Sequence, residues 1–416
     1  MKISGIENVI KGPWSSGPNQ KNRSDHYLVW IILGLIVIGC LMVMIAGAVE
    51  SYHLKIDCFH FFKRHLFSLF LGLVVFFIGR YINFTRLSPS WLGAIFLSGT
   101  IISIGLLMLV LVMPASPDGP HRDLRVWGDI SFQPAEVAKF FLIFYLANYL
   151  ARRYGKLGLK NLVVPTAITI IILILIKKQP SLSTNVIIGI TFLFLIWLAG
   201  ANFKYILGYS GIGSLFLIHE IRNELYRVKR VFEFLPDNWI INWFAKKIFG
   251  SLPDNFLEET AYHTKQSVMA IGSGGLYGNI LNGGFQKFYV PEIHTDFIFS
   301  AIGNVLGFIG TLLVISLFFL LVLQGFKIAV RSKNQYLALL GSGISFVIGF
   351  QAFYNIIINV GLLPGTGITL PLLSFGGTSL CITLFALGIL SSISSCDPRI
   401  QQAGQEKIKL EDCLRP

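Results

Sequence analysis

Long apolar segments recur along nearly the whole chain, and they restrict its fold more than any other feature. Hydrophobic residues make up 54% of the 416 residues and charged residues only 13%, and the mean hydropathy is +0.67. A helix needs about 20 mostly apolar residues to cross a bilayer. Such segments lie at residues 28–49, 66–82, 91–113, 136–150, 161–176, 184–201, 205–221, 297–326, 336–360 and 372–394. The sequence therefore predicts an all-α polytopic membrane protein with ten transmembrane helices.

The polar segments between the apolar ones predict how the chain is arranged across the membrane. Lys and Arg are concentrated in the segments that are cytoplasmic if the N-terminus is inside, and short cytoplasmic loops retain such residues. We therefore expect a cytoplasmic tail at residues 1–26, a transmembrane domain at 27–395 and a second cytoplasmic tail at 396–416. The first helix would act as an uncleaved insertion signal. The longest loop, residues 222–296 between helices 7 and 8, would then be extracytoplasmic.

The charged and metal-ligating residues argue against several classes of function. The formal net charge is +13, but the basic residues are dispersed between helices and form no compact stripe, which argues against a nucleic-acid partner. Five cysteines and eight histidines show neither zinc-ligand spacing nor a His-x-x-x-His pair, so no protein metal site is evident. The cofactor stays unknown, although a divalent cation is compatible with the sequence. Anionic lipid headgroups and a phosphorylated lipid fit the dispersed positive charge better.

Two acidic residues, Glu292 and Asp296, stand directly before the long apolar run at residues 297–326. Ionisable residues at a membrane boundary are usually functional, and partial burial can raise the pKa of a carboxylate and suit it to proton abstraction. A lipid-borne substrate would meet Asp296 at the water-facing edge of the bilayer. The other interpretation is a plain helix start in which Thr295 or Asp296 is the N-cap. The residues alone leave both interpretations open.

Polar residues also open two other predicted helices. Glu136 and Lys139 are spaced i, i+3 in the segment that begins at Gln133, so the pair can neutralise itself at the membrane edge. The pair is either a structural ion pair or a direct substrate contact, and the structural role is the commoner one. Lys177 and Lys178 precede the sixth helix and could bind a diphosphate, although interfacial anchoring is the more usual role of such lysines.

The 222–296 loop is too long for a simple connection, since loops longer than about 15 residues are usually functional or disordered. Three basic residues, Arg222, Arg227 and Arg230, lie on a predicted helical extension of the seventh span. Further along, residues 270–278 contain four glycines, enough for backbone N–H groups to converge on an anion. This segment lacks the Gly-Lys-Ser/Thr ending of a P-loop, so a nucleotide site is disfavoured.

A glycine pair, Gly376 and Gly377, follows Pro371 in the last apolar segment. Without side chains, two backbones or a lipid tail can approach closely at such a position. The pair either lines a substrate cavity or forms a notch for helix packing, and the sequence favours neither interpretation.

Five segments in a fixed order resemble the SEDS family, the shape, elongation, division and sporulation proteins. They are Gln133 to Glu136, Tyr262 to Ser267, Ala270 to Gly278, Pro291 to Phe299 and Leu363 to Ser379. Gln286-Lys287 and the run from Gln351 to Pro364 are more similar to the division (FtsW-like) branch than to the elongation (RodA-like) branch. The resemblance implies a ten-helix bundle that acts as a peptidoglycan glycosyltransferase on lipid II.

The resemblance also implies a set of site residues. The family's catalytic aspartate falls on Asp296, which would take the proton from an acceptor sugar hydroxyl as that hydroxyl attacks a lipid-linked donor. Because diphosphate leaves bearing charge, cations are required as well. The substrate-binding candidates are Arg222, Arg227, Arg230, Lys265, Glu292 and His294. The residues expected to shape the cavity are Gln133, Glu136, Lys139, Ser374, Gly376 and Gly377.

Several positions depart from the family's pattern. Ser181 and Ser183 replace an Asp and a Gly, Asn304 and the following valine replace two glutamates, and Thr366 replaces a lysine common in the division branch. The lost charges would change the electrostatics of the cavity, yet the expected catalytic aspartate is present. A slow or relaxed enzyme is therefore a better expectation than an inactive one.

The resemblance implies partners and a location as well. The partners are lipid II, the nascent glycan strand, a class B penicillin-binding transpeptidase and other division proteins. The location is the bacterial inner membrane, with glycan synthesis at its outer face during septal wall formation. Two rival functions stay open, a lipid II translocase and a catalytically weak scaffold for the transpeptidase. A translocase would need no outward-facing base, and a scaffold would need no catalysis.

Overall fold

Eleven helices and a two-stranded hairpin make up the part of the chain that the structure, a computed structural model, describes. The described residues are 23–82, 89–113, 124–127, 130–155, 157–179, 181–223, 261–279, 290, 293–332, 334–363 and 367–395. The helices are α1 (Arg23–Leu54), α2 (His60–Tyr81), α3 (Pro89–Val112), α4 (Pro134–Ala151), α5 (Leu159–Lys177), α6 (Leu182–Leu198), α7 (Phe203–Asn223), α8 (Ala261–Ser273), α9 (Ile298–Arg331), α10 (Gln335–Asn359) and α11 (Gly377–Ser395). The hairpin pairs β1 (Leu124–Trp127) with β2 (Ile130–Phe132) in antiparallel register.

Each of the ten predicted spans coincides with one helix, in the order α1 to α7 and then α9 to α11. Seven of the described helices are long and apolar enough to cross a membrane, namely α1, α2, α3, α5, α9, α10 and α11, while α6 is apolar but shorter. The predicted helical class is confirmed. The crossing of the membrane by all ten helices stays a prediction.

The structure differs from the prediction at several element boundaries and in one element that the sequence does not predict. The second span begins earlier than expected, because α2 already starts at His60. The last begins later, at Gly377, because the preceding residues form a turn in which Leu372 has a φ of 65°. The sequence does not predict the β1–β2 hairpin, since strands this short show too few alternations to be recognised.

The most buried helices of the described bundle are α4, α10 and α11. Of the most apolar 18-residue window, 72% is buried in α10 and 67% in α11, but only 22% in α2. One face of α2 packs tightly on α11, because glycines remove side chains from that contact. A Cβ placed on Gly79 would lie 2.7 Å from the carbonyl oxygen of Phe385. Because α4, α10 and α11 lie in the middle of the bundle, their polar residues face other helices.

α9 is kinked at Gly307, where φ is 66° and ψ is −162°. The turn that follows α8 inserts its backbone at this kink. Asn279 N–H donates to Asn304 O, and Phe308 N–H donates to Gly275 O, both at 2.9 Å. These bonds satisfy backbone groups that the kink frees from the helix.

Two of the four glycines of residues 270–278, Gly274 and Gly278, serve this close approach. A Cβ on Gly274 would overlap the carbonyl oxygen of Gly303, and one on Gly278 would overlap the carbonyl of Val305. The amides of Gly274 and Gly278 already donate to carbonyls within the same segment. The expectation that these N–H groups converge on an anion is therefore wrong, because the segment uses its glycines to pack on α9.

Candidate active site

A cavity of about 670 Å³ opens at the end of the bundle where α2, α4, α9 and α11 begin. Its wall is rich in polar side chains. They belong to Lys63, Arg64, Ser68, Gln133, Glu136, Thr184, Thr295, Asp296, Thr369, Thr378 and Ser379. The volume lies within the range of small-molecule sites in proteins, about 300–1,000 Å³.

Asp296 lines this cavity and is half-buried. It belongs to the turn at residues 293–297, and α9 begins only at Ile298, with Phe297 as its N-cap and no side-chain capping bond. The alternative in which Thr295 or Asp296 caps the helix is therefore wrong. The backbone carbonyl of Asp296 accepts hydrogen bonds from the side chains of two asparagines on α10.

Glu136 and Lys139 form a buried ion pair at the floor of the cavity. Lys139 Nζ lies 2.8 Å from Glu136 Oε2 and donates to Gln351 Oε1 at 2.6 Å. Ser379 Oγ donates to the same Glu136 oxygen at 3.2 Å. Glu136 reaches the cavity, while Lys139 lies behind it and is almost fully buried. The i, i+3 spacing does pair these residues, and the pair ties α4 to α10 and α11.

The segment before α11 forms another part of the wall. Gly376 and Gly377 line the cavity, and a Cβ on Gly377 would lie 3.0 Å from Ser68 Oγ on α2. The glycine pair is thus both a cavity wall and a close approach between helices. Ser374 is buried instead, and its Oγ accepts a bond from Leu370 N–H at 2.8 Å.

Gln133 stands at the entrance to α4 and lines the cavity. Its backbone N–H donates to Thr378 Oγ1 at 3.1 Å. This bond fixes the start of α4 against the start of α11, so the two helix ends form one continuous surface.

The predicted substrate-binding residues do not gather at the cavity in the described structure. His294 is buried, with its ring centroid 4.4 Å from that of Phe61 and 5.6 Å from that of Phe375. Lys265 is exposed on α8 and is not among the described residues that line the cavity. Arg222 lies near the end of α7. Arg227, Arg230 and Glu292 lie outside the described residues. Direct substrate contact by these six residues stays a prediction.

Two cations that the sequence interpretation counted only as loop charges do line the cavity. Lys63 and Arg64 lie in the first turns of α2 and line the same cavity as Asp296. Lys63 Nζ lies 2.7 Å from Asp57 Oδ2, and this hydrogen bond lowers the pKa of Asp57. The Arg64 guanidinium lies 5.7 Å from the centre of the Phe375 ring. The sequence does contain a signal for these two cations: a Lys and an Arg are adjacent in a predicted outer loop, and short outer loops usually contain few Lys and Arg residues.

No group of three or more His, Cys, Asp or Glu side chains in the described part of the chain could hold a metal ion. The described wall of the cavity supplies a carboxylate, a buried ion pair, hydroxyls and two cations. This set suits the removal of a proton close to an anionic leaving group.

Comparisons with known proteins give a consistent result. A family model described as cell cycle protein, covering FtsW, RodA and SpoVE, matches residues 26–397. A protein of Aliivibrio salmonicida named probable peptidoglycan glycosyltransferase FtsW is 35% identical over 91% of each chain. A protein of the same name from Haemophilus influenzae is 31% identical over 97% of this chain and 99% of its own.

Two solved structures share the fold. The rod shape determining protein RodA of Thermus thermophilus matches with a TM-score of 0.61 and 25% identity, over 88% of this chain and 96% of that one. A chain from a structure titled "Structural coordination of polymerization and crosslinking by a peptidoglycan synthase complex" matches with a TM-score of 0.70 and 24% identity. That match covers 89% of this chain and 97% of the other.

Proposed function

This chain belongs to the FtsW/RodA/SpoVE family of cell cycle proteins, and from that premise we propose that it is a peptidoglycan glycosyltransferase of the division type. It polymerises lipid II into glycan strands and releases undecaprenyl diphosphate. The observation that carries the proposal is the placement of Asp296 in a polar cavity that Lys63 and Arg64 also line. The names of the relatives support the same activity.

The arrangement supplies the groups that the reaction needs. The acceptor sugar hydroxyl gives its proton to the Asp296 carboxylate while its oxygen bonds to the anomeric carbon of the lipid-linked donor. The bond between that carbon and the diphosphate oxygen breaks, and its electron pair leaves with the diphosphate. Lys63 and Arg64 stabilise the charge on this leaving group. The buried Glu136–Lys139 pair holds the floor of the cavity in place.

Two of the positions that depart from the family's pattern take part in hydrogen bonds of the described structure. Asn304 Nδ2 donates to Ala270 O and to Ser273 Oγ, so it caps the end of α8. Ser181 Oγ lies 2.7 Å from Thr184 Oγ1. Both changed positions have roles in packing, and neither removes the carboxylate or the two cations from the cavity. Thr366 lies outside the described residues.

The proposal includes a location and partners. The protein lies in the bacterial inner membrane with both termini in the cytoplasm and the cavity facing outward, as the distribution of Lys and Arg indicates. It works with a class B penicillin-binding transpeptidase and with other division proteins on a growing glycan strand.

Purified full-length protein in lipid, given labelled lipid II with and without a class B transpeptidase, tests the activity and the partnership. We expect polymer from the unmutated protein and a loss of roughly 10²-fold from Asp296→Asn, the scale of a lost acid–base group. Transfer of lipid II across the vesicle membrane without polymer would favour the translocase. An inactive protein that still binds the transpeptidase would favour the scaffold.

Cysteine labelling tests the topology. A single cysteine at Gly283, in a background without the five native cysteines, should react with an impermeant reagent on intact cells. A cysteine at Gln405 should not react. The reverse pattern would place Asp296 on the cytoplasmic side and remove the basis of the proposed reaction.

A further inference from the structure

We propose that Asn359, together with Asn355, is a positioning residue that holds the Asp296 peptide outside helix α9 so that its carboxylate stays directed at the cavity. The proposal rests on the function proposed above, because it assigns Asp296 the role of base. Neither asparagine is among the described residues that line the cavity, so each would act through Asp296 and not on substrate.

The Asn359 side chain bonds to the start of α9. The N–H groups in the first turn of a helix have no partner within the helix, and Ser300 lies in that turn because α9 begins at Ile298. Here Ser300 N–H donates to Phe297 O at 3.0 Å and to Asn359 Oδ1 at 3.2 Å. Asn359 Nδ2 in turn donates to Asp296 O at 3.1 Å. The amide thus bonds at one end to the first turn of α9 and at the other end to the carbonyl of Asp296 in the preceding turn.

Asn355 links the same carbonyl to the segment that contains Ile368, which also lines the cavity. Its Nδ2 donates to Asp296 O at 2.9 Å and to Ile368 O at 2.6 Å. Only the NH₂ end of an amide can face two carbonyl oxygens, so the orientation of this side chain is determined. One amide therefore joins the turn that carries Asp296 to the segment of Ile368, which lines the same cavity.

The asparagine pair is itself held by buried partners. Asn355 and Asn359 lie one helical turn apart on α10 and are 1% and 0% exposed. Ser300 Oγ donates to Asn359 Oδ1 at 2.7 Å, and Ser267 Oγ on α8 donates to Asn359 O at 2.7 Å. Because buried amides are costly when unpaired, this network has one low-energy arrangement. It links α8, α9 and α10 at the Asp296 peptide.

The turn needs such a support because it has no regular structure of its own. Residues 293–297 form turns, and His294 O is held by Phe375 N–H at 2.9 Å. The two asparagines hold the carbonyl at the other end, next to the start of α9. Catalytic groups must be held within about 0.5 Å of their productive position, and a displacement of about 1 Å can cost roughly 10²-fold in rate. The asparagines supply that restraint from outside the cavity.

The test compares Asn359→Asp and Asn359→Ala with Asn148→Ala in purified full-length protein polymerising lipid II. Asp keeps the size of the side chain but turns an oxygen toward Asp296 O. Asn148 is also a buried amide, 5% exposed, on α4 and more than three turns from Glu136 at the cavity floor. Asn148→Ala therefore measures the general cost of removing a buried amide. We expect the Asn359 variants to lose roughly 10-fold or more in kcat, with KM for lipid II changed less than about twofold. Asn148→Ala should keep kcat.

Amide hydrogen exchange of the peptide that spans residues 293–300 supplies a readout without activity. Exchange should speed up in both Asn359 variants and not in Asn148→Ala. If the unmutated protein makes no polymer, the proposed function fails, and exchange alone decides whether the asparagines hold the turn. If the unmutated protein makes polymer and the Asn359 variants keep kcat, the positioning role is refuted. It is also refuted if the Asn359 variants lose no more kcat than Asn148→Ala does.

Discussion

Two groups of charged residues at the cavity are held in opposite ways. In one, here called the fixed wall, Glu136, Lys139 and the turn that carries Asp296 are held by buried partners on α10 and α11. In the other, here called the exposed wall, Lys63 and Arg64 lie in the first turns of α2, where Lys63 is exposed and Arg64 is half-buried. The Lys139 and Glu136 side chains are 1% and 9% exposed, whereas those of Lys63 and Asp57 are 70% and 55% exposed.

This difference separates two requirements of the reaction. A base must stay in one place, and burial with a full set of hydrogen bonds provides that. Cations that meet a mobile, anionic lipid need freedom to reorient, and an exposed ion pair gives up its partner at little cost. The fixed wall is therefore expected to control both the stability of the fold and the rate of reaction, and the exposed wall to control binding of the diphosphate.

Lys139→Met should have the largest effect, because it leaves the Glu136 carboxylate buried without its cation. Breaking a buried pair costs about 3–5 kcal/mol, so we expect a large fall in the melting temperature and in the yield of folded protein. The matched variant Lys139→Met with Glu136→Gln should recover much of that stability. Equal stability of the single variant and the unmutated protein would show that the wall is not fixed by this pair.

Gly377→Leu tests the point where the two walls meet. A side chain there would press on Ser68 of α2 and fill part of the cavity, so polymerisation should be abolished while membrane insertion is retained. Gly105→Leu is the control, because a Cβ at Gly105 meets no atom within 4 Å. Full activity of Gly377→Leu would exclude a role for the glycine in the cavity.

Asp296→Asn keeps the size of the side chain but removes its basicity. We expect a fall of roughly 10²-fold or more in kcat with an unchanged melting temperature, in contrast to Lys139→Met. Glu292→Gln should cost less, because we expect Glu292 to bind substrate and not to take the proton. Near-normal polymer from Asp296→Asn would refute the assignment of the base.

Arg64→Gln should weaken binding more than it slows the reaction, because it removes a cation from the exposed wall and leaves the fixed wall intact. We expect KM for lipid II to rise by about 10-fold, the effect of losing about 1.4 kcal/mol of binding, and the melting temperature to stay unchanged. Arg64→Lys should retain part of the affinity. A loss of stability comparable with that of Lys139→Met would contradict the comparison of the two walls.

Lys63→Ala should have the smallest effect, because its partner Asp57 is also exposed and surface pairs contribute about 0–1 kcal/mol. We expect a change in KM of less than about fivefold, which is measurable at low salt and reduced at high salt. A salt-independent loss of activity would mean that Lys63 has a fixed role.

The sequence predicts the parts of the fold and site that depend on local pattern. The length of the apolar segments locates ten helices, and the i, i+3 spacing predicts the ion pair between Glu136 and Lys139. It misses the groups that converge only through packing, such as the Asn359 amide at the start of α9 and the Arg64 guanidinium beside Phe375. Glycine content alone does not reveal whether residues 270–278 bind an anion or pack on a helix, because both uses need the same absence of side chains.

The support of the Asp296 peptide by a later helix also sets an order for biosynthesis. Asn359 lies 63 residues after Asp296 in the chain, so the carboxylate and its support leave the ribosome at different times. A nascent chain that has already inserted Asp296 still lacks the amide that completes the first turn of α9. The site is therefore assembled only after α10 has entered the membrane, and a truncated product carries the aspartate without the geometry.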